Sequence, residues 1–536
     1  MGTIPTDVQT ELTSISNSKS EIRNAIIAKG VEVPSDTPLS DYASKISNIS
    51  GGSATLITKT IAVNGTYAAS SDNADGYSSV TVEVPTPPVT GILVRVIDYD
   101  GTILKSERLE EGDTFTLPSQ PSHTGLVFQE WVSPVTITNN TVTVGKGDIN
   151  IGCSYTTSSG LSEFYFTLNQ VHLSTNQMTI NLNMDGTKDW GDGTTDDDTS
   201  HTYSAIGDYV ITCDGTELYG VGDYFHIINE TRIGSNVTYI ENFESSFFIS
   251  IPNTVEYIGM NSGSPGSTYL KSLTVPNGIT DLTGLFLNYF YELESVVLPS
   301  SVETLAGGMF FNCGLLNSIS IPEGVTTIPR SCFLNCSNLE SISIPSTVTT
   351  IGPSAFAGCS SIKYINIPLG VTTIEYEAFE SCSQLRQINI PSSVVSIGSQ
   401  AFTDCISLPS ISFPPNAVIS DTQFLFGSCQ SLHGEVIFPE GSITSLSYEM
   451  FNYCFNIERV KVPSTVTSVA SDVFSYCWML KEVDFTDAIA VPTLESSYAF
   501  LSDTNAFFQI KVPAALEAQW KSATNWSTIA DHIIGV

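Results

Sequence analysis

Any chemistry in this 536-residue chain would have to come from its eleven cysteines, its six histidines and its aspartates. Eight cysteines recur in one frame, F-x-x-C, from Phe310–Cys313 through Phe333–Cys336, Phe356–Cys359, Phe379–Cys382, Phe402–Cys405, Phe426–Cys429 and Phe451–Cys454 to Phe474–Cys477. No C-x-x-C pair is present, and a column of single thiols cannot close a tetrahedral zinc site. These cysteines therefore read as small apolar side chains in an internal column. His123, His172, His201, His226, His433 and His532 stand singly, far apart in the chain. Asp185, Asp189, Asp192 and Asp196–Asp198 offer oxygen ligands of the kind Ca²⁺ takes. They lack the spacing of an EF-hand, and a solvated turn is the better reading. The chain shows no H-E-x-x-H, G-x-S-x-G, G-x-x-x-x-G-K-[ST] or dinucleotide fingerprint. The expectation is no catalytic residue, no metal, no cofactor and no enzyme.

Binding is the better prospect, and a repeat supplies the surface for it. From residue 250 an apolar-Pro dipeptide returns at Pro252, Pro276, Pro299, Pro322, Pro345, Pro368, Pro391, Pro414, Pro439 and Pro463, mostly every 23 residues and in step with F-x-x-C. A clean unit runs Leu339, Ile342, Ile344-Pro345, Val348, Ile351, Ala355-Phe356 and Cys359. Ile342 and Ile344 share one face of a short strand, which the proline ends because it cannot donate to a longer ladder. Such a unit cannot bury its own apolar face; stacked copies can, so residues 235–512 predict a solenoid. Two columns then point outward. One reads Thr274, Val297, Ser320, Ser343, Asn366, Asn389, Ser412, Ile437 and Lys461; the other reads Ser272, Ser295, Ser318, Ser341, Tyr364, Gln387, Ser410, Glu435 and Arg459. Serines give way to amides, an aromatic ring and two cations. Tyr364, Asn366, Gln387, Asn389, Arg459 and Lys461 are the candidate binding residues, with chemistry suited to glycan hydroxyls or a polar protein surface.

The charge balance, 20 basic against 55 acidic residues or −35, argues against nucleic acid and against an anionic membrane. No apolar run reaches the ~18 residues of a spanning helix. The first residues have neither a basic nor an apolar leader region, which predicts folding in a reducing cytosol with the cysteines as thiols.

The repeat consensus resembles the BspA-like leucine-rich repeat family, solenoid proteins associated with surface adhesion. Residues 513–536, with Leu516, Trp520 and Trp526, look like the helical cap such arrays carry. Residues 1–50 predict a helix with an apolar stripe at Val8, Leu12, Ile15, Ile22 and Ile26, interrupted by Lys19. That stripe suits a docking helix or a short coiled coil equally, so homo-oligomerisation stays open. Residues 54–85 predict a hairpin turning at Asn64-Gly65. Ser20 to Gly30, Asn64-Gly-Thr-Tyr67 and Asp75-Gly-Tyr77 through Val84-Pro85 together resemble the amino-terminal modules of bacteriophage tail and virion-associated proteins. Residues 91–156, with Asp100-Gly101, Gly112, Pro118 and Phe128-Gln-Glu-Trp131, look like the Listeria–Bacteroides repeat, a β-grasp-like module; Phe128 and Trp131 read as core. Residues 161–232, with Asp189-Trp-Gly-Asp-Gly-Thr194, His201-x-Tyr203 and Gly207-Asp-Tyr209, resemble a PKD-type immunoglobulin-like sandwich, with Trp190, Tyr203 and Tyr209 between the sheets.

The expected fold is mainly β and multidomain: an N-terminal helix, two small β modules serving as spacers, and a C-terminal leucine-rich-repeat solenoid. The resemblances imply a structural virion protein of a bacteriophage, tail- or baseplate-associated. Residues 1–85 would dock to other virion proteins, and the solenoid would adhere to a host-surface glycan or protein. A virion decoration or spacer protein that binds no host, and a bacterial cell-surface adhesin, are the alternatives.

Overall fold

The computed structural model describes residues 91–145, 147–175, 178–221, 228–243, 246–260, 269–501 and 508–536. The expected N-terminal helix (1–50) and hairpin (54–85) lie outside these residues. What is described is mainly β, dominated by a C-terminal β-solenoid of about 13 turns with little helix.

Each coil of the solenoid has three sides. The first carries a strand of about three residues, such as Ser318–Ser320, Ser341–Ser343, Tyr364–Asn366 and Gln387–Asn389. The second carries a two-residue strand such as Thr350–Ile351 or Thr373–Ile374. Both sides pair in parallel with the next coil, Ser318 opposite Ser341 and Thr350 opposite Thr373. The third side is the F-x-x-C turn. Its amides also bond coil to coil, Phe333 N to Ala355 O at 2.9 Å and Asn335 N to Ala357 O at 2.7 Å. Two left-handed residues per coil make the corners, five residues and one residue before the cysteine; Ser331 (φ 53°) and Asn335 (φ 61°) are one such pair.

The repeated side chains fill the interior as expected. Phe310, Phe333, Phe356 and Phe379 are buried and stack nearly parallel with centroids 5.2, 5.4 and 5.6 Å apart. All eleven cysteines are free and buried. From Cys336 onward each ladder thiol donates to the carbonyl of the phenylalanine one coil back, Cys359 Sγ to Phe333 O at 3.1 Å and Cys382 Sγ to Phe356 O at 3.3 Å, while Cys313 Sγ donates to Leu287 O at 3.0 Å. Cysteine is therefore both small enough for the column and a donor with a partner. Burial pushes the Cys382 thiol up to about 12.

The regular ladder is interrupted at Pro409. In neighbouring coils this position donates an amide to the coil before, as Arg386 N does to Lys363 O at 2.8 Å. Proline has no such donor, and residues 408–414 form no strand. On the first side the sheet of Tyr364–Asn366 and Gln387–Asn389 ends there, and a new one starts with Gly434–Ile437.

The upstream modules differ from the spacers expected of them. The segment 161–232 contains β-strands that we number after seven strands of the first module. Those seven are β1 (Ile92–Ile97), β2 (Ile103–Leu109), β3 (Thr114–Thr116), β4 (Leu126–Val132), β5 (Ile137–Thr138), β6 (Thr141–Thr143) and β7 (Ile149–Thr157). The next eight are β8 (Ser162–Leu168), β9 (Thr179–Met184), β10 (Lys188–Asp189), β11 (Thr195–Asp196), β12 (Ser200–Thr202), β13 (Gly207–Cys213), β14 (Glu217–Val221) and β15 (Ile228–Arg232). These eight form two facing sheets around Trp190 and Tyr203, both fully buried, with Tyr209 half-buried. Both sheets continue straight into the array: β14 pairs in parallel with Tyr239–Glu241, and β15 with Ile249–Ser250. One hydrophobic core runs from Phe164 to Ile533. The segment therefore closes the first end of the stack, whose edge strands and apolar end face would otherwise be bare.

The far end is closed by residues 513–536. Trp520 and Trp526 are fully buried against Phe485 and each other, on a short helix Glu517–Ser522 and a 3₁₀ segment Trp526–His532. The last residues add a further rung, Ile533–Gly535 pairing in parallel with Gln509–Val512.

Candidate functional site

The first module sits on the solenoid. Its sheet has the order β2-β1-β7-β4, with β1 and β7 parallel at the centre, and a smaller sheet β3-β6-β5 completes it. Strand β7 alternates in type, and both its faces are buried. Ile149, Ile151, Cys153 and Tyr155 belong to the module's own core. Asn150, Gly152 and Ser154 lie on the solenoid's first side.

The contacts follow the outward columns coil by coil. Ser341 Oγ donates to Asp148 Oδ2 at 2.8 Å; Ser320 Oγ donates to Asp148 O at 2.6 Å and accepts from Asn150 N at 3.0 Å. Arg95 donates to Ser318 Oγ. A Cβ on Gly152 would meet Thr274 Oγ1 at 2.6 Å, and one on Gly147 would collide with Ser343, so both glycines serve close approach. Farther along, Ser154 Oγ donates to Ile251 O at 3.0 Å and Ser272 Oγ to Tyr99 O at 2.6 Å. Six residues of β7 rise ~20 Å, which matches four coil spacings of ~4.8 Å. A polar lock finishes the seat: Tyr99 Oη donates to Glu230 Oε1 at 2.7 Å, and Arg232 holds both Glu230 (2.7 Å) and the Thr124 carbonyl (2.9 Å).

The serine half of the columns is thus an internal interface. Small side chains stand there because a strand lies across them. The columns become accessible at the next coil: Tyr364 is 39% exposed, and Asn366, Gln387 and Asn389 are exposed with it. In-register pairing sets Tyr364 beside Gln387 and Asn366 beside Asn389. These four form one patch. A cleft lined by Gly91, Ile92, Glu110, Glu111, Gly147 and Asp148 separates it from the module, with Asn366 on its rim.

Arg459 and Lys461 are not part of that patch. They lie three coils on, ~14 Å at the coil spacing, beyond the Pro409 break and in the second sheet. Arg459 is flanked in register by Glu435 and Glu482. Lys461 is bound to Asp487 at 3.0 Å, which raises its pKa. The open face also extends past the residues read from sequence, to Glu482, Asp484, Gln509 and Lys511; Lys511 is paired with Glu482 at 2.8 Å. Continuing the 23-residue frame through its longer terminal repeats would have found them.

The aspartate-rich loops of 185–198 are occupied by the chain itself. Asp185 Oδ1 accepts from Thr216 N and Glu217 N, Asp192 binds His201 and Thr194 N, and Asp196 accepts from the Trp190 indole at 2.8 Å. Among the described residues no group of three or more His, Cys, Asp or Glu is placed to hold a metal ion. No described helix is long and apolar enough to cross a membrane.

A family model described as a BspA type leucine rich repeat region matches residues 231–363 and 349–481. That match spans 251 of the 536 residues, a little under half of the chain. The chain is similar to several solved structures at low identity. A leucine-rich repeat protein from Bacteroides ovatus is 20% identical, with 63% of this chain and 90% of that one covered and a TM-score of 0.40. A leucine rich cell surface protein from Faecalibacterium prausnitzii is 22% identical over 53% of this chain and 84% of that one, with a TM-score of 0.27. A leucine rich repeat protein of T. pallidum is 24% identical over 35% and 78%, with a TM-score of 0.28. Curated protein sequences give no significant match.

Proposed function

We propose that the chain is a non-catalytic adhesin that binds through the open part of the BspA-type array's first side, beginning at Tyr364, Asn366, Gln387 and Asn389. The observation that carries this reading is the change in the two columns. Where β7 covers them they hold Ser and Thr apart from Val297; the first two open coils hold amides and a tyrosine, ahead of Ser410 and Ser412. Amide pairs in register with a neighbouring ring bond hydroxyl-rich or polar surfaces, and each contact is modest, so copies acting together would supply avidity.

The setting proposed is a bacteriophage virion, with residues 1–85 docking to other virion proteins and the array reaching the host surface. This rests on the resemblance of the first 85 residues to tail-associated modules. Immunogold labelling of purified particles tests it, and absence of label from virions would remove it.

The adhesive role has its own test: capture of cells of the strain whose DNA encodes the chain by immobilised full-length protein. Changing Tyr364, Asn366, Gln387 and Asn389 together to alanine should cut capture at least tenfold, with melting unchanged because all four are exposed. Undiminished capture would remove the face from the mechanism.

A further inference from the structure

The last F-x-x-C coils carry aromatic rings that the repeat does not require. The residue before each ladder cysteine is left-handed, and earlier coils place short side chains there: Asn335 (φ 61°), Gly358 (72°), Ser381 (56°) and Asp404 (56°). In the last two it is Tyr453 (φ 59°) and Tyr476 (φ 62°). Bulky residues tolerate that conformation poorly, and such outliers collect at functional sites. The residue after the cysteine changes as well, from Gly314, Ser337, Ser360 and Ser383 through Ile406 and Gln430 to Phe455 and Trp478.

The four rings form two stacked pairs. Tyr453 lies on Tyr476 at 4.5 Å and 2°, and Phe455 on Trp478 at 4.5 Å and 10°. Tyr453 meets Phe455 edge-on, 6.1 Å apart at 87°. Two flat aromatic walls thus make a corner on the turn side of the coils, with Trp478 55% and Tyr453 40% exposed. An exposed aromatic patch of this kind marks a contact site.

We propose that this corner is a carbohydrate-binding site for neutral, β-1,4-linked glycans. A β-linked pyranose with equatorial substituents has a flat face of C–H bonds that covers an aromatic ring, while its hydroxyls stay at the rim in water. The Glu458–Lys481 ion pair (2.8 Å) follows three residues after Phe455 and Trp478 and offers hydrogen-bonding groups to that rim. A chain of net charge −35 disfavours an anionic polysaccharide. A second copy of the chain is a poor fit: four part-exposed rings fall well short of the roughly 800 Å² per partner of a stable protein interface, and like-charged copies repel. The site lies on different residues from the open sheet face and does not depend on it.

Isothermal titration of the full chain with chitohexaose and with cellohexaose tests the assignment. Saturable binding of at least one hexasaccharide is expected, and at least tenfold weaker binding in Trp478→Ser and in Tyr453→Asn. Serine and asparagine are what earlier coils use at these positions, so both variants should melt no lower than the parent. Acrylamide quenching gives a second readout: Trp190, Trp520 and Trp526 are buried and Trp131 is half-buried in the first module, so the quenching that sugar removes should be chiefly that of Trp478. Absence of saturable binding to either sugar would overturn the proposal. So would binding that survives Trp478→Ser, or binding abolished instead by Tyr364→Ala.

Discussion

Ser320 joins the first module to the array, and its hydroxyl has two partners there, the Asn150 amide at 3.0 Å and the Asp148 carbonyl at 2.6 Å. Ser320→Ala removes both bonds and deprives the Asn150 amide of its acceptor on a residue only 1% exposed. A buried donor left unmet costs about 1–3 kcal/mol. At 1.4 kcal/mol per tenfold, the docking equilibrium shifts by a factor of roughly 5 to 150. Ser320→Tyr goes further, because its ring would occupy the space of β7; the module should leave its seat while the array, whose core lies on the opposite side of that strand, stays folded. Hydrogen exchange read by mass spectrometry separates the cases. Peptides spanning 147–153 should lose protection in the alanine variant and nearly all of it in the tyrosine variant, while peptides spanning 350–360 keep theirs. Unchanged protection of β7 in Ser320→Ala would refute the interface. Equal loss in both peptide sets for Ser320→Tyr would show that module and array unfold together.

Three other outcomes are expected. The Trp526 indole donates to Pro492 O at 2.8 Å, whereas the buried Trp520 indole has no partner. Trp526→Phe should therefore destabilise by about 1–2 kcal/mol more than Trp520→Phe in urea melts, since only the former forfeits a hydrogen bond. Phe356→Ala empties a fully buried position between two stacked rings and should cost about 3–5 kcal/mol; a loss under 1 kcal/mol by circular dichroism would contradict the ladder. Burial raises the ladder thiols above their usual 9.0, Cys382 to about 12 and Cys359, Cys405 and Cys429 well above 9.0. The unfolded chain releases these protons from about pH 9 and the folded chain keeps them, so stability is full below pH 9 and falls as pH rises toward 12. Urea midpoints at pH 8, 9.5 and 10.5 should decline in that order, and a thiol reagent at pH 8 should find none of the eleven before unfolding.

The array was legible because its information is local: Phe356, Cys359 and Ile351 recur in a frame that only stacking can satisfy. The outward columns were legible as columns, but half their meaning was not. Nothing near Ser318 or Ser320 shows that residues 148–154, some 170 positions earlier, lie on them. Strand β7 conceals this too, since Ile149, Ile151, Cys153 and Tyr155 alternating with Asn150, Gly152 and Ser154 look like a strand with one face in water. The polar face is in fact pressed on serine hydroxyls. The core shared across residue 233 was hidden for a related reason. Parallel pairing of β14 and β15 onto the first coils leaves no change in composition to mark it. Among the candidate residues, Tyr364, Asn366, Gln387 and Asn389 come together because their coils are neighbours. Arg459 and Lys461 share their columns but not their neighbourhood.

The proline at 409 divides the array's backbone without dividing its interior. On the first side the ladder stops at Gln387–Asn389 and resumes at Gly434–Ile437, and on the second side one sheet ends at Val418–Ile419 and another begins at Ser445–Leu446. The phenylalanine column passes through regardless, Phe402 to Phe426 at 6.1 Å and Phe426 to Phe451 at 5.4 Å, and turn-side amides still bridge, Ser428 N to Asn452 O at 2.7 Å. Under tension along its length, the solenoid should part first at this seam, where fewer backbone bonds share the load. The amide patch would remain on one fragment and the aromatic corner on the other.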